Sequence, residues 1–370
     1  MGRPKKNTNE EVVEVVEGAE QKEGEVVKEK KEKKLSVEAN VKKQFGDNVL
    51  VNAQYIFDKK SVVIPISPAL DSITGGMVEG GWLTLTGQPK CAKTTTALYF
   101  AATAQDPKYG GECCPKGREV YFYAIEGRLK ERDLAGIPHL NRDRFHIVQS
   151  TPGHILSAAD YLEIADQFIN EKPGSIHIID SYSALCTEAE KTGTMADMQR
   201  ADGAKALAKF CRKVCNVVPV NNCIVVGITH IMGNPGMGNS LWKEKSGQAI
   251  AYQVDVKLKC LYHKPWLAYT EGPQIGQEGV WQCLNTATYI PPGQQTTSFV
   301  RYGIGIDVAK EVFTMGVDLG IIEQGGAWYT FPMFDGQKAQ GAEKACELIR
   351  NIPNGVEAIY SKIREMLGMV

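Results

Sequence analysis

Gly87, Gln88, Pro89, Lys90, Cys91, Ala92, Lys93, Thr94 and Thr95 have the types and spacing to hold a chain of phosphates. Backbone N–H groups of such a loop and the helix N-terminus behind it supply fixed positive potential. Lys93 adds a full charge, and the Thr94 hydroxyl can hold Mg²⁺. Ala92 departs from the pattern, because the motif places its second glycine there. A strand–turn–helix corner with an exposed lysine would look the same, so the assignment rests on what surrounds it.

Three apolar segments end in polar residues that could complete such a site. Ser175–Ile179 leads to Asp180, an acid able to hold a metal ion through water. Glu119–Ile125 leads to Glu126, placed to orient and deprotonate an attacking water. Cys223–Ile228 leads to Thr229 and His230, and the imidazole could contact a terminal phosphate and report its loss. The catalytic set is therefore Glu126, Lys93 and His230. The metal set is Thr94 and Asp180.

The segment after His230 has glycines interleaved with Met232, Gly233, Asn234, Met237, Trp242, Lys243 and Lys245. Apolar groups there can pack on bases while lysines meet phosphates, which suits single-stranded nucleic acid. A second segment, Glu188–Arg200, offers Met195, Met198 and Arg200.

The elements that must position these groups follow a regular pattern. A strand at Trp82–Thr86 precedes the phosphate loop, and an Ala-rich helix follows it. Strands at Glu119–Ile125, Phe145–Val148, Ser175–Ile179 and Cys223–Ile228 alternate with helices over Ile155–Ile169 and roughly Asp197–Val214. This alternation predicts an α/β fold with a mostly parallel central sheet covered on both faces. Further strands are expected around Val49–Val51, Val62–Ile66, Ala251–Leu261, Val280–Ala287 and Thr297–Tyr302. A small α/β C-terminal domain then follows, with helix Ile306–Leu319, a hairpin near Ala327–Phe331 and helices near Gly341–Arg350 and Val356–Met366. The expected organisation is a charged tail over 1–35, a short N-terminal helix over 36–48, a core over 49–305 and the C-terminal domain over 306–370.

Bulk properties set limits. The 370 residues are 43% hydrophobic with a net charge of −1, so global charge does not advertise a nucleic-acid binder. The tail over 1–35 holds 9 Lys/Arg and 9 Glu, the composition of a solvated polyampholyte. Ser36–Gly46 carries Val37, Val41 and Phe45 in a thin stripe, too short to be stable without a surface to lie on. The ten cysteines contain no C-x₂-C pair and read as reduced thiols of a cytoplasmic protein. No long apolar run suggests a membrane span.

Together these residues identify a resemblance to the RecA-type DNA recombinases, from about Val41 to the end. It is carried by VKKQFGDN, SPALDSITGG-MVEGGWLTLTG, YAIEG, HIIDSYSAL, ITHIMGNPG…SGQAIAYQVDVKLK and GIGIDVAKEVFTMGVDLGIIEQGGAWYTF. The resemblance implies a RecA-like P-loop ATPase core that binds ATP with Mg²⁺. It further implies head-to-tail assembly into a helical filament on single-stranded DNA, pairing with homologous double-stranded DNA, and DNA-stimulated hydrolysis. In that scheme Gly87 to Thr95 bind nucleotide, Asp180 assists the metal and Glu126 activates water. His230 links phosphate to the DNA loop, and the helix after Ser36 rests on a neighbouring subunit. The chain departs from bacterial members at Ala92, in lacking their trans lysine pair and acidic C-terminal tail, and in its charged N-terminal tail. These departures suggest a divergent phage-encoded member working in the host cytoplasm. A filament that coats DNA with little hydrolysis, and a ring helicase or remodeller on the same core, are the alternatives.

Overall fold

The computed structural model describes residues 36–194, 202–233, 242–244, 249–269 and 271–369; for Asp202, Met232, Gly233 and Trp242–Glu244 it describes the backbone alone. The charged tail over 1–35 lies outside these residues. The chain divides into two compact units at Lys60/Ser61.

In the first unit Ser36 caps a helix over Val37–Phe45, its Oγ accepting the Ala39 N–H at 3.2 Å. The helix buries nothing within its unit, and Val37 and Phe45 are mostly exposed. The strand expected at Val49–Val51 does not form. Asp47–Val49 is a 3₁₀ turn, and Asn52 then caps a second helix over Ala53–Asp58. β-branched residues alone do not make a strand, because a strand also needs a partner edge, and Asn and Asp side chains offer the backbone local hydrogen bonds instead.

The second unit is built on a central sheet. Its strands, in chain order, are β1 (Trp82–Gly87), β2 (Val120–Ala124), β3 (Phe145–Val148), β4 (Ile176–Asp180), β5 (Ile224–Gly233), β6 (Val256–Leu267), β7 (Gln274–Asn285), β8 (Gln295–Arg301) and β9 (Gly305–Ile306). Their spatial order is β9-β8-β7-β6-β1-β5-β4-β2-β3. The first six are mutually parallel, and β7, β8 and β9 continue antiparallel. This is the α/β architecture that the alternation predicts. Strand β6 begins five residues later than expected, because Ile250–Tyr252 forms a 3₁₀ turn and the Asp255 carboxylate caps the Trp82 N–H at 2.8 Å.

Strand β1 is buried along its whole length, as a strand with parallel neighbours on both edges and helices on both faces must be. One face packs on the helix Lys93–Ala104 through Leu83, Leu85, Ala97, Phe100 and Ala101. The other packs on helices Ala158–Glu171 and Asp202–Val214 through Tyr161, Leu162, Ile169, Leu207, Phe210 and Val214. Ser157 and Asp160 form a reciprocal capping box at the first of these two helices.

The C-terminal module has its own core of Val312, Phe313, Ile322, Phe331, Cys346, Ile349, Ile359 and Ile363. Helices Val308–Asp318, Ala342–Asn351 and Gly355–Leu367 flank a three-stranded antiparallel sheet. A buried polar joint ties it to helix Pro68–Thr74 and β8. Glu311 accepts the Ala69 N–H at 2.9 Å and the Ser298 hydroxyl, while Tyr360 donates to Asp71 at 3.2 Å. Burial pushes the Asp71 and Glu311 carboxyls up to about 7 each. All ten cysteines are free. No described helix is long and apolar enough to cross a membrane.

Candidate active site

The carboxyl ends of β1, β2, β4 and β5 converge, and the polar residues at those ends meet there. Gly87 ends β1 and is the register partner of His230 on β5, while Ala124 at the end of β2 is the partner of Asp180 on β4.

Gly87 is required by close approach. A Cβ at this position would stand 2.8 Å from Cys91 Sγ and 3.0 Å from the Cys260 carbonyl oxygen. Beyond it the loop runs through Gln88, Pro89 and Lys90, the last two exposed, to Ala92 and the helix Lys93–Ala104. Lys90 and Ala92 both take left-handed backbone, with φ of 64° and 60°. Glycine adopts that conformation freely, whereas a residue with a Cβ loses about 1–2 kcal/mol there. The Ala92 methyl is thus a local strain that the surroundings restrain. Gln277 reaches the loop from β7, and with its amide assigned the orientation that satisfies both neighbours it accepts the Ala92 N–H at 3.2 Å and donates to the Lys90 carbonyl at 3.3 Å. Thr96 N–H and Oγ1 both return to the Ala92 carbonyl, at 2.9 and 3.0 Å.

Lys93 is buried, and its ammonium donates to the Gly87 and Gln88 carbonyls at 3.0 and 2.7 Å and to Cys91 Sγ at 3.5 Å. The first-turn amides of Lys93, Thr94 and Thr95 have no intrahelical acceptor. The buried Lys93 ammonium and the first-turn amides at the helix N-terminus form a donor set that fits a polyphosphate. Thr94 Oγ1 donates to Asp180 Oδ2 at 2.9 Å, so a hydroxyl and a carboxylate already adjoin where a hard divalent cation would bind. Burial pushes the Asp180 carboxyl up to about 6 against the Thr94 hydrogen bond, and the nearby Glu126 charge adds to the rise.

Glu126 follows β2 and is held from three sides. His230 Nε2 lies 2.7 Å from its Oε1, Ser181 Oγ donates to the same oxygen at 2.6 Å, and the exposed Arg128 guanidinium is 3.7 Å from Oε2. The His230 hydrogen bond, with those of Ser181 and the Arg128 charge, holds the carboxyl down at about 2 despite partial burial. His230 N–H donates to Ser183 Oγ at 2.9 Å, and its Nδ1 is buried without a partner, as are Thr86 Oγ1 and Thr229 Oγ1. The turn carrying Ser181 and Ser183 can sit so close to β5 because Gly227 is bare; a Cβ there would lie 1.9 Å from the Tyr182 ring.

The nucleotide-site residues named from sequence are therefore gathered in one place. The DNA-contact residues are not placed in the same way. Met195, Met198, Arg200, Asn234, Met237 and Lys245 lie outside the described residues. For Met232, Gly233, Trp242 and Lys243 the backbone pairs in a short antiparallel ladder, Met232 with Lys243 and Gly233 with Trp242. β5 thus runs on to Gly233, past the end of the strand expected over Cys223–Ile228. In the second segment Thr187 and Glu190 box the start of a helix over Glu188–Thr192. Ser181, Ser183, Gln277 and Cys260 were not singled out from sequence; only Ser181, adjacent to Asp180, carried a signal there.

Two family models match the chain, the RecA N-terminal domain over residues 33–306 and the RecA C-terminal domain over 310–368. Among curated relatives, Protein RecA of Thermotoga maritima is 26% identical over 329 residues, 88% of this chain and 86% of that one. Protein RecA of Paracoccus denitrificans is 27% identical over 296 residues, 80% and 78% of the two chains. Protein RecA of a Methylobacterium species is 28% identical over 298 residues, 80% and 76%.

Proposed function

The chain belongs to the RecA family, and from that premise we propose that it is an ATP-dependent homologous recombination protein. It forms helical filaments on single-stranded DNA, pairs them with homologous double-stranded DNA, and hydrolyses ATP in response to DNA. The observation that carries this reading is continuity along β5. His230 touches Glu126 at 2.7 Å, and one residue later the strand enters the ladder that brackets 234–241.

The roles follow from position. Lys93 and the first-turn amides bind phosphates, and Thr94 with Asp180 holds Mg²⁺. When bound, the metal ion neutralises charge on the phosphates. Glu126, ionised at neutral pH, accepts the proton of the attacking water once it is free of His230. His230 couples that release to the segment bearing Met232, Gly233, Asn234, Met237, Trp242, Lys243 and Lys245, which contacts DNA with Met195, Met198 and Arg200. The exposed Val37 and Phe45 stripe supports a seat for the first helix on a neighbouring subunit. The low identity to bacterial relatives, with Ala92, supports a divergent, phage-encoded origin.

A second reading, a DNA-coating filament with little hydrolysis, is favoured by the left-handed Ala92 and the restrained Glu126. Electron microscopy with ATP and single-stranded DNA, followed by a joint-molecule assay, tests both. Helical filaments that form joint molecules are expected. Filaments without joint molecules would favour the second reading, and closed rings would overturn both.

A further inference from the structure

Cys91 and Cys260 meet at the floor of the phosphate loop. Cys260 is the register partner of Gly87 across parallel strands β1 and β6. Cys91 lies over the same residue. The Cβ that Gly87 lacks would be 2.8 Å from Cys91 Sγ and 3.0 Å from Cys260 Cβ, so both side chains share the gap that glycine leaves. Both thiols are buried and free. The Lys93 ammonium, 3.5 Å from Cys91 Sγ, faces one member of the pair.

The two thiols are not equivalent. The neighbouring Cys260 thiol, then the Lys93 charge and hydrogen bond, hold the Cys91 thiol below its ordinary range against the opposing effect of burial. The same contact and burial push Cys260 up. A thiolate stabilised by a lysine is the nucleophile of such a pair, and its protonated neighbour resolves it.

We propose that Cys91 and Cys260 are a peroxide-oxidisable pair whose disulfide closes the phosphate loop and switches the nucleotide site off. The chemistry balances with a hydroperoxide as the only oxidant. The Cys91 thiolate attacks one peroxide oxygen; an S–O bond forms, the O–O bond breaks, the other oxygen leaves as hydroxide, and the sulfur becomes a sulfenic acid while the peroxide is reduced. Cys260 sulfur then attacks the Cys91 sulfur. The S–S bond forms, the S–O bond breaks, and hydroxide leaves with the Cys260 proton as water. Pro89 and Lys90, next in sequence to the buried Cys91, are exposed, and hydrogen peroxide is a small oxidant. The bond tethers the loop to β6 between two left-handed residues, Lys90 and Ala92, and takes the thiolate from Lys93. Phosphate-binding geometry that tolerates little displacement is lost with it.

The test treats the full chain with hydrogen peroxide, with and without ATP and Mg²⁺, and maps thiols by mass spectrometry. A peptide pair joined through Cys91 and Cys260 is expected, less of it with ATP. ATP hydrolysis is expected to fall about 100-fold and to return with dithiothreitol. Cys260→Ala and Cys260→Ser should keep untreated activity, form no linked pair, and leave Cys91 as a sulfenic acid captured by a 1,3-diketone. Cys91 and Cys260 remaining reduced while the exposed Cys113 and its neighbour Cys114 oxidise would overturn the proposal. So would unchanged, dithiothreitol-reversible inactivation in both Cys260 variants. The linked peptide is read without any ATPase, so an inactive protein would count against the proposed function and not against the pair.

Discussion

His230 Nε2 and Glu126 Oε1 are 2.7 Å apart, a contact between β5 and the end of β2 that spans the intervening strand β4. Together with Ser181 it holds the Glu126 carboxylate in place. The strand that carries His230 continues to Gly233, whose backbone pairs with Trp242. In this state the site is assembled and restrained at once.

Replacing His230 by Ala removes one of the two hydrogen bonds on Glu126 Oε1. Hydrolysis without DNA should rise severalfold, and stimulation by single-stranded DNA should fall to within about twofold, since the coupling energy is of the order of 1–3 kcal/mol. Steady-state phosphate release with and without DNA checks this; full stimulation in the variant would remove His230 from the coupling.

Lys93→Ala and Glu126→Gln should separate binding from chemistry. The first loses the buried ammonium and should weaken nucleotide binding and turnover together. The second keeps the shape of the site and should cost about 100- to 10,000-fold in turnover with little change in nucleotide affinity. Fluorescent-nucleotide titration beside phosphate release distinguishes them, and full activity in both would refute the assignment.

Ala92→Gly relieves a left-handed methyl at φ 60°. The gain should be about 1 kcal/mol, seen as a rise of roughly 2 °C in Tm. Nucleotide affinity should rise with it, because Gln277 no longer has to restrain a strained loop. An unchanged or lower Tm from calorimetry would show that the Gln277 clamp leaves no strain to relieve.

Asp71 and Glu311 give the fold a pH dependence of opposite sign to the usual carboxylate. Burial raises both from ordinary values of 3.8 and 4.5 to about 7. Each is protonated in the folded chain where it would be ionised unfolded. The folded state therefore binds more protons between about pH 4 and 7, and stability contributed below that window is lost as pH rises through it. Each unit of displacement corresponds to about 1.4 kcal/mol. Asp71→Asn and Glu311→Gln should flatten the decline in Tm from pH 5 to 8, even if they lower its starting value. An equally steep decline in both variants would contradict this.

The strands and the residues at their ends were legible because a parallel sheet buried on both faces writes long apolar runs that stop abruptly at Asp180, Glu126 and Thr229. Side-chain encounters across strands were not. Gln277 reaches the phosphate loop from an antiparallel strand nearly two hundred residues away in sequence, and no local pattern marks it. The Ala92 departure was visible as a letter change, but its meaning came from the left-handed backbone beneath it. Val49–Val51 misled because β propensity was read without asking what edge would receive the strand.

Nucleotide chemistry at Lys93, Asp180 and Glu126 should answer to DNA through His230. Phosphate release by the full chain, with ATP and Mg²⁺ and with or without single-stranded DNA, measures it most directly. Slow release alone and release at least about tenfold faster with DNA are expected, one factor of ten being about 1.4 kcal/mol of coupling. Equal rates with and without DNA, at concentrations where the DNA is bound, would contradict it.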